Sequence, residues 1–347
     1  MNCAPRFCGF EALPMQILPD FSTYEAGPRP LILALGNFDG VHLGHRELLT
    51  RVTESARSQS GCAGVMTFRE HPQHVLHPSS KPPLLTSLDH KLFLLSEYGI
   101  ETCFLMPFTA EFAGMDAESF VRNVLVSRLG VKEVYLGRNA RFGRNREGDA
   151  AMMERLSAAC GFRFYPVESV LENGEAVSSS RIRVMIREGR LDEAQRCLGR
   201  KFSVFGRVVH GSGRGGPMGF PTANLEVESE ILPPLGVYPV EVRQLDGAGR
   251  LDQPGSQRYS CQAGSWMPGI LNYGYRPTFR EEDKKAVPEV YLFDFKGDLY
   301  NKRMEIRFHN RLRPEMAFGG VEALKTQIQT DIESARRVLE RAMTAAG

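Results

Sequence analysis

The order of strands and helices changes near residue 198, and this change constrains the fold more than any other sequence feature. Before it, the apolar run LILALG at 31–36 predicts a buried strand that leads into a helix from about Gly44. Strands and helices then alternate up to a last helix at about 180–197. Such alternation is typical of a parallel sheet with helices on its faces.

Beyond residue 198 the sequence changes to short strands separated by Gly and Pro, which indicates an antiparallel barrel. A final helix at 321–343 carries its apolar residues on one face and is expected to pack against this barrel. The polar stretch 246–265 predicts an exposed hairpin loop. The strands are predicted at 202–209, 237–243, 289–295 and 303–308.

Length and composition narrow the possible functions. A chain of 347 residues fits two domains, which we place at 1–198 and 199–347. The formal net charge of +2 argues against nucleic acid or an anionic membrane as the main partner. The seven cysteines form no C-x-x-C pair, so a disulfide scaffold or a zinc ribbon is not expected. Since no run is apolar enough to cross a bilayer, a cytoplasmic location is expected.

The run GNFDGVHLGH at 36–45 lies between the first predicted strand and its helix. Free backbone N–H groups and the helix dipole favour an anion at such a helix start, and glycines let the chain approach a phosphate closely. Imidazole groups can stabilise the charge on phosphorus during nucleotidyl transfer. A capped turn with two incidental histidines is the alternative. The candidates are His42 and His45 for catalysis, and Gly36, Phe38, Asp39 and Gly44 for phosphate binding.

Two further segments of the first half are candidates for ligand binding. VSSSRIR at 177–183 opens the last helix, where Ser179, Ser180 and Arg183 could hold the β and γ phosphates of ATP, although an ordinary N-cap is the alternative. GRNARFG at 137–143 follows a strand at its carboxyl end, where open α/β sheets bind ligands, and a plain loop is its alternative. His71, His74 and His77 are spaced three residues apart, but no carboxylate or cysteine completes a set of metal ligands with them. We therefore interpret this segment as a loop.

The barrel half carries a second candidate phosphate site. Its glycine-rich run, with Gly211, Gly213 and Gly219 as candidates, precedes an extended segment instead of a helix, which excludes a dinucleotide-binding fold. The glycines could still offer backbone amides to phosphates, and a structural turn is the alternative. Thr222 and Asn224 lie on one side of that segment, where their oxygens could both reach one Mg²⁺. Glu289 begins the apolar strand EVYLFDF and is either a solvent-facing carboxylate or a general base for a hydroxyl.

Together these motifs resemble the bacterial bifunctional riboflavin kinase/FMN adenylyltransferase family, also called prokaryotic FAD synthetase. The resemblance extends from about Leu31 to Leu339. It rests on GNFDGVHLGH (36–45), TFREHP (67–72), GRNARFG (137–143), SSSRIR (178–183), GFPTAN (219–224), GVYPV (236–240), NYGYRPTF (272–279) and EVYLFDFKGDLY (289–300).

The resemblance implies an α/β nucleotidyltransferase domain with a Rossmann-like parallel sheet, followed by a riboflavin kinase-like barrel with a C-terminal helix. The barrel would phosphorylate riboflavin to FMN, and the first domain would adenylylate FMN to FAD and release pyrophosphate. Both reactions would use ATP and Mg²⁺. The implied flavin-binding residues are Asn139 and Arg313, and Glu289 resembles the kinase base. An oligomer is possible on this basis but is not predicted.

One departure from the family motif keeps an alternative open. Ala140 stands where the family usually has Phe beside the flavin-binding residue, which removes a packing surface. The alternative is a riboflavin kinase whose degenerate first domain senses flavin nucleotides. A nucleotidyltransferase for another acceptor would leave the barrel motifs unexplained, and RNA binding lacks an aromatic and basic platform.

Overall fold

The computed structural model describes residues 14–76, 79, 81–210, 220–247, 257–275 and 286–344, and these form two compact units. The first unit takes its described residues from 1–82, 92–170 and 248–260. The second takes them from 83–91, 171–247 and 261–347. Each unit therefore contains a segment from the other half of the sequence.

The strands are β1 (Met15–Leu18), β2 (Leu31–Leu35), β3 (Cys62–Phe68), β4 (Thr102–Met106), β5 (Val131–Gly137), β6 (Arg163–Val167), β7 (Leu171–Glu172), β8 (Glu175–Ala176), β9 (Ser203–Val209), β10 (Ala223–Val227), β11 (Gly236–Asp246), β12 (Gln257–Tyr259), β13 (Gln262–Ala263), β14 (Met267–Tyr275), β15 (Ala286–Leu292) and β16 (Arg303–Phe308). The helices are α1 (Leu43–Ser58), α2 (Pro72–Leu76), α3 (Leu88–Glu97), α4 (Ala110–Gly114), α5 (Ala117–Ser119), α6 (Ala150–Cys160), α7 (Ser179–Arg187), α8 (Leu191–Leu198) and α9 (Val321–Thr344). Helix α5 continues directly as a π-helix over Phe120–Arg128. Among the described helices, none combines the length and apolar content that a membrane span requires.

The first unit is built on the predicted parallel sheet. Strands β1 to β6 are parallel and lie in the order β1-β4-β3-β2-β5-β6. Every residue of β2 and of β4 is buried, as expected of strands covered on both faces. The strand order reverses between β2 and β5, since the chain first winds away from β2 through β3 and β4 and then returns to its other side. Open α/β sheets bind ligands at the carboxyl ends of strands that meet at such a point.

A short strand from the second half of the sequence completes this sheet. Strand β12 pairs antiparallel with β1, Met15 lying opposite Tyr259, and the side chain of Tyr259 is 1% exposed. The prediction of an exposed loop across 246–265 is therefore wrong for 257–259. A three-residue strand is too short to show periodicity, and its partner is distant in the sequence, so the local composition could not reveal it.

We expect Tyr259→Ala to lower the thermal unfolding midpoint of the protein. Truncating a fully buried aromatic side chain leaves a cavity that costs about 3–5 kcal/mol. Calorimetry of the full chain measures the change, with Tyr259→Phe expected to retain most of the stability. Arg258→Ala is the matched control, because Arg258 lies on the same strand but is exposed. Equal midpoints for Tyr259→Ala and Arg258→Ala would show that burial of the Tyr259 side chain contributes nothing to stability.

The second unit is the predicted antiparallel barrel. Its strands follow the order β11-β14-β15-β10-β9-β16, and pairing of β16 with β11 closes the barrel, while β13 extends β11. Helix α9 packs on it through Ile332, Ala335 and Leu339, which form one apolar cluster with Val237 and Ile270. The predictions of a barrel and of a helix packed against it are confirmed.

Residues 83–91 of the first half are part of the second unit. The ring of His90 is fully buried and stacks on Phe205 with the ring centroids 4.2 Å apart, and Asp89 forms an ion pair with Arg303 at 2.7 Å. Burial and the nearby guanidinium groups, including that of Arg303, hold the pKa of His90 well below its ordinary value. The imidazole is therefore neutral near pH 7 and packs as an aromatic ring.

Helices α7 and α8 also lie in the second compact unit. A compact unit and a family domain divide a chain by different criteria, since the first follows packing and the second follows sequence similarity. The boundary between residues 198 and 199 therefore stays a prediction.

Candidate active sites

His42 and His45 lie together at the start of α1, directly after β2. His42 is the N-cap residue, and its Nδ1 accepts a hydrogen bond from the backbone N–H of His45 at 3.4 Å. The two imidazole rings stack with their centroids 3.7 Å apart and their planes 15° apart. A Cβ atom on Gly44 would lie only 3.3 Å from Cε1 of His42, so glycine makes room for this ring. Two imidazoles thus occupy the place where the helix dipole favours an anion.

The side chain of Phe38 packs inside the loop between β2 and α1. Phe38 is fully buried, and its ring centroid lies 5.2 Å from that of His45. A Cβ atom on Gly36 would lie 3.1 Å from the Phe38 ring, so this glycine lets the ring close over the strand end. Asp39 is 4% exposed. The side chain of Phe38 therefore supports the loop, and the nucleotide-binding roles of Gly36, Phe38, Asp39 and Gly44 stay predictions.

The second candidate loop lies at the carboxyl end of β5, the neighbour of β2. Asn139 is exposed and its Nδ2 donates to Ser169 Oγ at 3.3 Å. Ala140 is partly buried and packs against the apolar core, and Phe142 beside it contacts Phe120 with ring centroids 6.0 Å apart. The strand order thus brings the loop of Asn139 and the loop of the two histidines to the same edge of the sheet.

Ser179, Ser180 and Arg183 lie in the first turns of α7, in the second compact unit. The N-cap Ser178 accepts from the backbone N–H of Arg181 at 3.3 Å, so this helix start has an ordinary cap as well. Arg183 is 6% exposed, and its Nε donates to the carbonyl of Pro83 at 2.7 Å. Their predicted role in binding the phosphates of ATP stays a prediction.

The barrel aligns three polar side chains on adjacent strands. In the pairing of β10 with β15, Asn224 lies opposite Glu289, and in the pairing of β14 with β15, Asn272 lies opposite the same glutamate. Directly opposed residues of an antiparallel pair project from the same face. The sequence motifs contain Asn272, but only the strand register shows that it belongs beside Glu289.

Thr222 lines a cavity of about 300 Å³ together with Ala223 and Val290, the sequence neighbours of Asn224 and Glu289. Asp294, Asp298 and Tyr300 also line the cavity. The carboxylate of Asp294 forms an ion pair with Arg336 at 2.9 Å, and the ring of Tyr300 stacks on that of His210 with the centroids 4.0 Å apart. The candidates Gly211, Gly213 and Gly219 lie outside the described residues. The described part of the chain contains no group of three or more His, Cys, Asp or Glu side chains that could hold a metal.

The predicted flavin residue Arg313 is held by α9. Its Nε and Nη2 donate to the two carboxylate oxygens of Asp331 at 3.1 and 2.8 Å, and Asp331 is 6% exposed. The backbone carbonyl of Arg313 accepts from Val237 N–H at 3.0 Å, which ties the segment to β11. Arg313 therefore fixes the segment before α9, and its flavin contact stays a prediction.

Each half of the chain matches a known protein family. Residues 25–181 match the FAD synthetase family and residues 198–339 match the riboflavin kinase family. A protein of Escherichia coli K12 named bifunctional riboflavin kinase/FMN adenylyltransferase is 34% identical over 312 residues, which cover 90% of this chain and 94% of the relative. A protein of Pseudomonas fluorescens with the same name is 34% identical over 322 residues, covering 93% and 97%.

A solved structure shares the fold over most of the chain. This crystal structure, from Streptococcus pneumoniae, is described as a macrolide-efflux protein. It superposes with a TM-score of 0.76 at 27% identity and covers 92% of this chain and 98% of the other.

Proposed function

Because this chain belongs to the family of bifunctional riboflavin kinase/FMN adenylyltransferases, we propose that its parallel-sheet half transfers the adenylyl group and its barrel transfers the phosphoryl group. The enzyme phosphorylates riboflavin to FMN and adenylylates FMN to FAD with release of pyrophosphate. This assignment of one activity to each half rests on the family matches, because the FAD synthetase family matches the first half and the riboflavin kinase family matches the second. The start of the riboflavin kinase match at residue 198 supports the proposed domain boundary.

For adenylyl transfer, we propose that His42 and His45 stabilise the negative charge that develops on the oxygens around the α-phosphorus of ATP. The phosphate of FMN is already a nucleophilic anion, so the protein has to orient it and stabilise the transition state. The stacked imidazoles and the N–H groups of α1 provide fixed donors at one point. Asn139 lies at the neighbouring strand end, which suits it to place the flavin phosphate.

For phosphoryl transfer, we assign Glu289 as the general base. Its carboxylate would accept the proton of the ribityl 5′-hydroxyl while that oxygen attacks the γ-phosphorus of ATP and ADP leaves. The amides of Asn224 and Asn272 flank the carboxylate on the same face and can orient it and the hydroxyl.

The residues beside this base fit Mg²⁺. Thr222 and Asn224 offer a hydroxyl and an amide oxygen, the hard ligands that Mg²⁺ prefers, and Asp294 and Asp298 line the same cavity as Thr222. Magnesium commonly uses one or two protein ligands together with water and substrate phosphates, so a cluster of acidic side chains is not required. The ion would neutralise the phosphate charge of ATP.

Retention of both family domains favours two activities over the kinase with a degenerate sensing domain. The loop with Ala140 keeps an aromatic contact through Phe142, which packs on Phe120. We infer that this packing supports the loop without the usual phenylalanine at position 140.

A chromatographic time course tests the proposal. Purified protein with riboflavin, ATP and Mg²⁺ is expected to give FMN first and FAD afterwards, and the same assay begun from FMN is expected to give FAD. Omission of Mg²⁺, with a chelator present, is expected to stop both steps. Accumulation of FMN without FAD in both assays would contradict adenylyl transfer by the first half.

A further inference from the structure

The loop that carries the histidines has an unusual backbone. Phe38, Gly40 and Val41 have φ angles of 51°, 81° and 38°, in the left-handed region. Glycine adopts this region readily, but a residue with a Cβ does so at a cost, and a β-branched residue such as valine is rarely found there. The four residues between Asn37 and His42 thus contain two non-glycine residues in a strained conformation.

Burial of the apolar side chains of Phe38 and Val41 compensates for the cost of this backbone strain. Phe38 is fully buried and Val41 is 1% exposed. The backbone N–H of Val41 donates to the carbonyl of Phe38 at 3.3 Å and closes the turn. Relaxation of either backbone angle would move an apolar side chain out of its packing site, so apolar burial holds the loop in one conformation.

The strained turn determines where the imidazoles lie. Val41 directly precedes His42, whose ring stacks on that of His45, and the ring centroid of Phe38 lies 5.2 Å from that of His45. A rotation at Val41 would carry His42 out of the stack. We propose that Val41 and Phe38 are positioning residues for adenylyl transfer, which hold the histidine pair in place before ATP binds. This proposal rests on the assignment of the pair to that reaction.

Substitutions at Val41 separate positioning from simple packing. Val41→Ala and Val41→Gly both remove the buried side chain, but only alanine keeps the Cβ that opposes a positive φ. At an ordinary position glycine destabilises a protein relative to alanine. At φ 38° the order is expected to reverse, so that Val41→Gly has a thermal midpoint about 2 °C or more above that of Val41→Ala.

The kinetic test uses FAD synthesis from FMN in the full chain. We expect Val41→Gly to lower kcat about 10- to 100-fold while KM for ATP changes little, because misplacement by about 1 Å costs this much when the group acts in the transition state. Val41→Ile, which keeps a buried β-branched side chain, is expected to retain most of the activity. FMN formation from riboflavin by the same preparation is expected to stay unchanged and reports that the chain is folded.

Several results would overturn the proposal. Wild-type kcat in Val41→Gly would show that the strained turn does not position the histidines, and a lower midpoint for Val41→Gly than for Val41→Ala would show that the turn is not strained. Phe38→Ala and Phe38→Gly repeat the thermal comparison at φ 51°. If His45→Ala left FAD synthesis intact while Val41→Gly impaired it, the assignment of the histidines would fail, and the loop would act in another way.

Discussion

Glu289→Gln is expected to abolish FMN formation from riboflavin and to leave FAD synthesis from supplied FMN largely intact. The amide has nearly the shape of the carboxylate and can still lie between Asn224 and Asn272, but it cannot accept the proton of the attacking hydroxyl. Loss of a general base lowers the rate by about 10²–10⁴-fold. Initial rates of the two reactions, measured separately by chromatography, give the comparison.

Glu226→Gln is the matched control for this variant. Glu226 lies on β10, the strand that also carries Asn224, but it is exposed. It is expected to keep both activities. Loss of both activities in folded Glu289→Gln protein would contradict separate sites, and retention of FMN formation would remove the role of base from Glu289.

His45→Ala is expected to have the opposite effect. FAD synthesis from FMN should fall by about 10²–10³-fold, the loss that follows removal of one donor to a developing anionic charge. The stack with His42 disappears as well, so both imidazoles are affected. Formation of FMN should continue, because the residues that we assign to the kinase reaction, Glu289, Asn224 and Asn272, lie in the barrel.

His74→Ala controls for loss of a histidine from the same unit. His74 accepts or donates a hydrogen bond at the carbonyl of Pro82, 2.7 Å away, and lies on α2 outside the loop between β2 and α1. It should leave FAD synthesis near the wild-type rate. If His45→Ala retained FAD synthesis, the adenylyl role would pass from this residue to other groups of the loop.

The amino-acid sequence by itself determined the class of each half. The spacing of apolar residues and the positions of turn residues are local properties of a sequence. The alternation of strands and helices in the first half therefore predicted a parallel sheet, and the short strands in the second half predicted a barrel. The run from Gly36 to His45 was also recognisable, because a strand, a glycine turn, two histidines and a helix start are all encoded within ten residues. Its neighbours along the chain were therefore enough to predict an anion site.

Tertiary structure decided which distant residues meet. Nothing local in the sequence indicates that Tyr259 pairs with the edge of the first sheet or that His90 packs on the barrel, since both contacts join segments far apart in the chain. The position of Asn272 beside Glu289 depends on strand register, where a shift by one residue would turn the side chain to the other face.

The same distinction applies to the histidine loop. The sequence supplied His42 and His45, but the positive φ angle of Val41 and the burial of its side chain are seen only in the folded structure. Local preference alone would place a β-branched residue at a negative φ angle, and on our proposal burial of the side chain outweighs that preference. The chemistry that depends on residue type could thus be predicted from the sequence. The backbone conformation that positions these side chains was decided by packing between segments.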